Sequence, residues 1–264
     1  MYEFTYHRPT SAADAVKALG SAQDGKFLAG GMTLIPTLKQ RLAQPSDLID
    51  LGGITELKGI KRDDQVLVVN AMTTHAEVGA SDDVAKAIPA LAVLADSIGD
   101  AQVRNRGTIG GSLANADPAA DYPAAVVALG ATVHTNDRTI TADDFFTGMF
   151  ETALNDSELI TAVSFPIPKR AGYVKFANPA SRYAIVGVMV SENDDGVRVA
   201  VTGAAPSVFR VEAMEKALSA DFSPDAIAGI SVPADALNAD LHASAEYRSH
   251  LVTVMAKRAV AAAG

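Results

Sequence analysis

The chain has 264 residues, 48% of them hydrophobic and 20% charged, which is enough apolar material for a core and too much for a wholly disordered polypeptide. Its 22 basic and 31 acidic residues leave a formal charge of −9, so there is no cationic stripe for a nucleic-acid backbone. With no cysteine, disulfides, Cys-ligated zinc, all-Cys iron–sulfur clusters and cysteine nucleophiles are excluded from this polypeptide.

MYEFTYHRPT lacks the basic leader and apolar run of a signal peptide, and no stretch approaches the roughly 18 apolar residues of a membrane span, so a cytoplasmic location is expected. Thr10 and Ser11 precede Ala12, Val16 and Leu19, and the pattern stops at Gly20, which predicts a capped helix. A strand is expected at 26–29. Gly30 and Gly31 then turn the chain into a helix carrying Leu34, Leu38 and Leu42, with Pro36 tolerable only in its first turn. Strands are predicted at 48–51 and 66–69, a helix at 84–98, a second glycine turn from Thr108 to Leu113, a helix at 119–129 and a strand at 131–135. A strand at 159–165 runs into FPIPKRAGY, whose two prolines, two basic residues and glycine mark a domain boundary. Strands at 173–176, 185–191 and 197–202 follow as a meander, with Asp194, Asp195 and Gly196 turning the last pair. Helices at 211–218 and 247–262 complete the chain, the second striped with Tyr247, Leu251, Val254, Met255, Ala259 and Ala262.

Two glycine pairs, Gly30-Gly31 in LAGGMT and Gly110-Gly111 in RGTIGGSLAN, are each expected to follow a strand, and each precedes small or hydroxyl residues. A single pair is most often an ordinary tight turn. Two in one domain suit a diphosphate, because a backbone without Cβ approaches phosphate oxygens closely, its N–H groups supply fixed positive dipoles, and Thr33 or Ser112 adds a hydroxyl donor. Neither pair belongs to GxGxxG, and GxxxxGK[ST] does not occur. Asn115, Asp117 and Asp121 lie just beyond the second pair. Asp117 reads either as a helix N-cap with Pro118 in the first turn or as a ribose ligand, and Asp121 is harder to read as a cap. His7, His75, His134, His242 and His250 show no ligand spacing, so no metal site is expected. His75, after Thr73-Thr74, reads as a surface or capping residue at a helix start, with a cofactor contact as the alternative. There is no GxSxG elbow, and no catalytic side chain is assigned.

With both loops in view, the chain resembles the FAD-binding medium subunit of the molybdenum hydroxylases, the xanthine dehydrogenase and aerobic carbon monoxide dehydrogenase family. The resemblance runs the full length, through LAGGMTLIPTLKQRL, TTHAEV, VRNRGTIGGSLANADPAADYPAA, ELITAVSFP, YVKFANPASRYAIVGV, TGAAPSVFRVEAMEKAL and EYRSHLVTVMAKRA. It implies an α+β fold with an FAD-binding domain of the p-cresol methylhydroxylase type at 1–168, in subdomains of about 1–54 and 55–168. A small C-terminal α+β domain with a three-stranded sheet would occupy 169–264. Carried over by motif, Leu28, Ala29, Gly30, Gly31, Met32 and Thr33 would form one half of a clasp on the FAD pyrophosphate, and Thr108, Ile109, Gly110, Gly111 and Ser112 the other. Asn115 and Asp121 would lie toward the ribose and adenosine, Leu159 and Ile160 near the adenine, and Lys175 and Tyr183 would approach the flavin.

The function implied is electron transfer through noncovalent FAD, from [2Fe–2S] clusters on a small partner subunit to an external acceptor, with molybdopterin on a large partner subunit. The expected assembly is a dimer of heterotrimers. Met32-Thr33 replaces the His-Ser of carbon monoxide dehydrogenases and Asn115 a common His, which argues against carbon monoxide as substrate. The alternatives are a standalone flavoenzyme of the same superfamily and a non-catalytic nucleotide-binding scaffold.

Overall fold

Residues 1–263 are described by the computed structural model, and three principal sheets and a short hairpin organise them. The first sheet is parallel, in the spatial order Thr5–His7, Asp47–Asp50, Gly25–Leu28. Parallel neighbours need crossovers, and helices Ala12–Ser21 and Leu34–Lys39 provide them. Ser11 caps the first of these, its hydroxyl accepting the Asp14 N–H at 3.1 Å. Leu42, expected on the second, lies past its end: Arg41 adopts a φ of 60°, which breaks the helix and leaves Leu42 exposed.

The second sheet is antiparallel, in the order Ile60–Arg62, Val66–Asn70, Ile160–Pro166, Thr132–Thr135, Thr139–Thr141. Alternation turns Leu67 and Val69 inward, where they join Val133, Val163 and Phe165 in one core with helices His75–Ala80, Asp82–Ala87, Pro89–Asp96, Ile109–Asn115 and Tyr122–Ala128. The single helix expected over 84–98 is two, because Pro89 bars the helical region at Ile88, whose φ and ψ are −141° and 76°. The helix expected from 119 starts at Tyr122 instead, since residues 117–120 form a separate turn closed by Ala120 N–H to Asp117 O at 3.0 Å. A short hairpin, Phe146–Gly148 with Glu151–Thr152, follows.

The third sheet is the predicted meander of Arg170–Ala177, Ala184–Asn193 and Gly196–Thr202, with a two-residue edge strand, Phe209–Arg210, beyond the three expected. Val186, Val188 and Val190 of its middle strand face helices Glu212–Ala220 and Ala245–Ala263, while Met189, with Tyr173 and Ala200, joins the core of the preceding segment. The meander is thus covered on both faces, which explains its long apolar strands. Ser191 Oγ and Arg198 Nε also donate to Ala128 O and Val127 O at 2.6 and 2.8 Å, satisfying carbonyls at the end of helix Tyr122–Ala128. Among the described residues no helix is long and apolar enough to cross a membrane, and no cluster of His, Asp and Glu has the makings of a metal site.

Candidate functional site

A cleft with a volume of about 450 Å³ lies where the first sheet, the helices over the second and the 178–183 loop of the third converge. Ala29, Gly30, Gly31, Met32 and Thr33 line it from one side, and Thr108, Gly110, Gly111, Ser112 and Asn115 from the other. Asp121, Leu159, Ile160 and Tyr183 are also on its wall, whereas Leu28, Ile109 and Lys175 are not.

The two glycine loops meet. A Cβ on Gly30 would come within 2.1 Å of Arg106 O, so the absence of a side chain there lets one loop rest on the other. Gly31 has a φ of +75°, the left-handed conformation that turns the strand Gly25–Leu28 into helix Leu34–Lys39. Because of this turn, none of the five backbone N–H groups from Gly30 to Leu34 has a hydrogen-bond acceptor among the described residues. Successive free amides around a left-handed glycine make an anion-binding concavity.

The second loop is built differently from the expectation. Gly110 and Gly111 are in the first turn of helix Ile109–Asn115, with Thr108 as N-cap, and their amides are already engaged. Ile109 N–H goes to Thr73 O at 3.1 Å, Gly110 N–H to Ala71 O at 2.8 Å, Gly111 N–H to Thr108 Oγ1 at 3.1 Å and Ser112 N–H to Thr108 O at 3.0 Å. A Cβ on Gly110 would lie 2.6 Å from Ala71 Cβ, whereas one on Gly111 would lie 3.2 Å from Ala29 Cβ, across the gap between the loops. The first loop therefore offers main-chain donors and the second offers side chains, since the Ser112 hydroxyl, the Asn115 amide and, on the first loop, the Thr33 hydroxyl bond to nothing else described.

Asp117 and Asp121 both line the cleft. Asp117 caps no helix: its Oδ1 accepts the Ala119 N–H at 2.9 Å in a turn, and burial raises its carboxyl above the ordinary range. Asp121 is the N-cap residue by position but makes no cap bond. Its buried carboxylate takes the Tyr173 hydroxyl and the Lys175 ammonium, the latter at 2.9 Å, so neither Asp121 nor Lys175 has its charge free for a ligand. Burial pushes the Asp121 carboxyl upward, against the pull of Lys175 and Tyr173. Tyr183 stands half-exposed at the cleft mouth, and burial among Asp117 and Asp121 raises its phenol.

Two cleft residues were missed or misread. His75 is not on the surface: Thr74 supplies the cap of helix His75–Ala80, and the His75 ring is buried in the cleft wall. Glu158 had no signal in the sequence. It precedes Leu159 and Ile160 and holds their strand in place, accepting from Arg138 Nε and Nη2 at 2.8 and 3.0 Å, from Thr135 Oγ1 at 2.8 Å and from Asn155 N–H at 2.8 Å. The Arg138 guanidinium is the largest cause holding the Glu158 carboxyl down at about 2. A folded carboxyl that titrates below its unfolded counterpart gives stability that is present above the unfolded value and lost as pH falls toward 2. Urea midpoints of the wild type should thus fall steeply from pH 4.5 to 2. Glu158→Gln should be less stable at pH 7 by on the order of 3 kcal/mol and show a flatter acid limb. Equal acid limbs in the two proteins would contradict this.

Comparison with known proteins now decides the family. Residues 2–168 match the family described as the FAD binding domain in molybdopterin dehydrogenase. The chain belongs to this family. It is 38% identical over 273 residues to the nicotine 6-hydroxylase medium subunit of Paenarthrobacter nicotinovorans, covering 98% of this chain and 96% of that one. Identity to the carbon monoxide dehydrogenase medium chain of Hydrogenophaga pseudoflava is 35% over 281 residues, again 98% of this chain and 96% of the relative. Among solved structures, a carbon monoxide dehydrogenase of Hydrogenophaga pseudoflava that lacks the Mo-pyranopterin moiety matches with a TM-score of 0.89 at 37% identity, over 99% of this chain and 97% of that one. The α+β FAD-binding fold, the cofactor FAD and the oxidoreductase class that the resemblance implied are thereby established for this chain.

Proposed function

We propose that this chain is the FAD-carrying electron-transfer subunit of a molybdenum hydroxylase complex. It would take electrons from [2Fe–2S] clusters on a small partner subunit, downstream of a molybdopterin centre on a large one, and pass them to an external acceptor. The observation that carries the proposal is the row of unbonded amides from Gly30 to Leu34, in a cleft whose opposite side is lined by the second loop. Such a site binds and positions a dinucleotide, and the redox chemistry is what the flavin supplies when bound. The chain's residues hold the diphosphate at the amide row, wall the adenosine side with Leu159 and Ile160, and present Tyr183 at the open mouth. In this reading residues 1–168, in parts of about 1–54 and 55–168, form the FAD-binding unit, and 169–264 carry Tyr183 and much of the contact with the partners. Two such heterotrimers would pair.

The curated relatives support a division of labour in which this chain does not choose the substrate, for their names include nicotine, carbon monoxide, glyceraldehyde and caffeine. Anaerobic stopped-flow spectroscopy tests the proposal. Substrate should bleach the flavin only when the iron–sulfur and molybdopterin subunits are present, while dithionite should bleach it in the lone chain too. Rapid bleaching of the lone chain by substrate would favour the standalone flavoenzyme. The FAD is expected to be noncovalent, since there is no cysteine and neither glycine loop contains a histidine. Acid precipitation should leave the yellow colour in the supernatant, and a yellow pellet would count against that expectation.

A further inference from the structure

His75 is only 5% exposed, yet neither of its ring nitrogens has a hydrogen-bond partner among the described residues, and Nδ1 is fully buried. Nδ1 is enclosed, which leaves Nε2, unbonded on a cleft-lining residue, as the ring nitrogen open to a ligand. The ring is firmly placed. His75 N–H donates to Gly107 O at 3.0 Å, Thr74 and Thr108 form a β-bridge, and the Tyr122 ring packs 5.3 Å away at 49°. Nε2 lies 2.5 Å from the point a Gly107 Cβ would occupy, and a Gly30 Cβ would come within 2.8 Å of Gly107 Cα. The Nε2 edge therefore packs against Gly107, the residue on which Gly30 of the first loop also rests.

The tautomer follows from burial. A neutral imidazole carries one proton, and a buried N–H without an acceptor is a worse arrangement than a buried lone pair without a donor. The proton therefore belongs on Nε2, the edge against cleft-lining Gly107, with Nδ1 as the enclosed lone pair. Burial first, and Arg104 second, lower the ring to about 4, which leaves it uncharged near neutral pH.

We infer that His75 is a cofactor-binding residue, donating Nε2–H as a neutral imidazole to a phosphate oxygen of the FAD diphosphate at the junction of the two glycine loops. The inference rests on the reading that the diphosphate lies at the amides of Gly30 to Leu34. A neutral donor adds a directed bond without a fixed positive charge inside the cleft.

FAD, ADP and riboflavin titrated into the FAD-free full chain test it, with 15N spectra of the histidine ring alongside. His75→Phe should weaken FAD and ADP to a similar extent, about tenfold, the loss of one hydrogen bond, and leave riboflavin unchanged because it has no diphosphate. His75→Asn, which retains an N–H donor, should recover part of that loss. In the wild type the spectra should show the Nε2–H tautomer and a shift of that proton when ADP binds. ADP affinity lost in Gly31→Val but kept in His75→Phe would remove the histidine and spare the amide row. ADP affinity kept in Gly31→Val would remove the amide row and this assignment with it. Should His75→Phe fail to fold, the spectra decide: an Nδ1–H tautomer, or an Nε2 proton indifferent to ADP, overturns the inference.

Discussion

Replacing Gly31 by Val is expected to abolish FAD binding, with a loss of affinity of about 100-fold or more, on the order of 3 kcal/mol. Two effects add. Gly31 has a φ of +75°, and a β-branched residue is strained there, so the chain would rotate away and carry the neighbouring amides with it. A Cβ at this position would also meet Ile35 Cγ1 at 2.9 Å and Leu28 Cδ1 at 3.2 Å, which presses the turn off its helix. Gly111→Val should act in the same direction by a different route, since its side chain would enter the gap toward Ala29. Gly30→Val and Gly110→Val are the comparison. Their Cβ atoms would come within 2.1 Å of Arg106 O and 2.8 Å of Ala71 O, backbone atoms that cannot step aside, so these two should lower the melting temperature of the FAD-free chain markedly. Flavin absorbance after gel filtration and thermal melts of all four variants separate the effects. Full flavin occupancy in Gly31→Val and Gly111→Val would make those glycines mere turns.

Lys175→Met should destabilise the chain by about 3–5 kcal/mol, the usual cost of leaving a buried charge without its partner. Lys175 Nζ reaches Asp121 Oδ1 at 2.9 Å and Ser97 O at 3.0 Å, joining strand Arg170–Ala177 to the start of helix Tyr122–Ala128 and to the loop before Asp100. Without the ammonium, burial is opposed chiefly by the Tyr173 hydroxyl and drives the Asp121 carboxyl further above its unfolded value. A carboxyl raised in the folded state favours folding when protonated, so the deficit of Lys175→Met should shrink as pH falls and grow as it rises. The double variant Lys175→Met with Asp121→Asn should recover most of the loss at pH 7, because no buried charge remains. Urea midpoints at pH 5 and 8 read this directly. Equal destabilisation at both, with no recovery in the double variant, would mean that Lys175 acts by packing alone.

Much of the site was legible in the residue order because its chemistry is local. A glycine pair before small or hydroxyl residues is a short-range signal, and the two put Ala29 to Thr33 on one wall of the cleft and Thr108, Gly110, Gly111 and Ser112 on the other, although only the first pair follows a strand. The three long strands of the meander were legible for the same reason, as apolar runs interrupted by a turn at Gly196. What local pattern cannot carry is which atoms remain free after folding. The amides of the second loop look the same in sequence as those of the first, yet Thr73 O and Ala71 O, brought beside them by the second sheet and its helices, take their hydrogen bonds. His75 reads as a surface or capping residue, and only folding brings Gly107, some thirty positions away, beside its ring, where a Cβ would meet Nε2 at 2.5 Å. Asp121 reads as an unpaired carboxylate until Lys175 and Tyr173, on a strand of the third sheet, supply its ion pair and hydrogen bond. By itself, then, the sequence determined the paired turns, the hydrophobic strands and the absence of any cysteine chemistry, all set by neighbours along the chain. Only the tertiary structure decided which donors, charges and ring nitrogens still lack partners, because that depends on groups that folding brings together from distant positions.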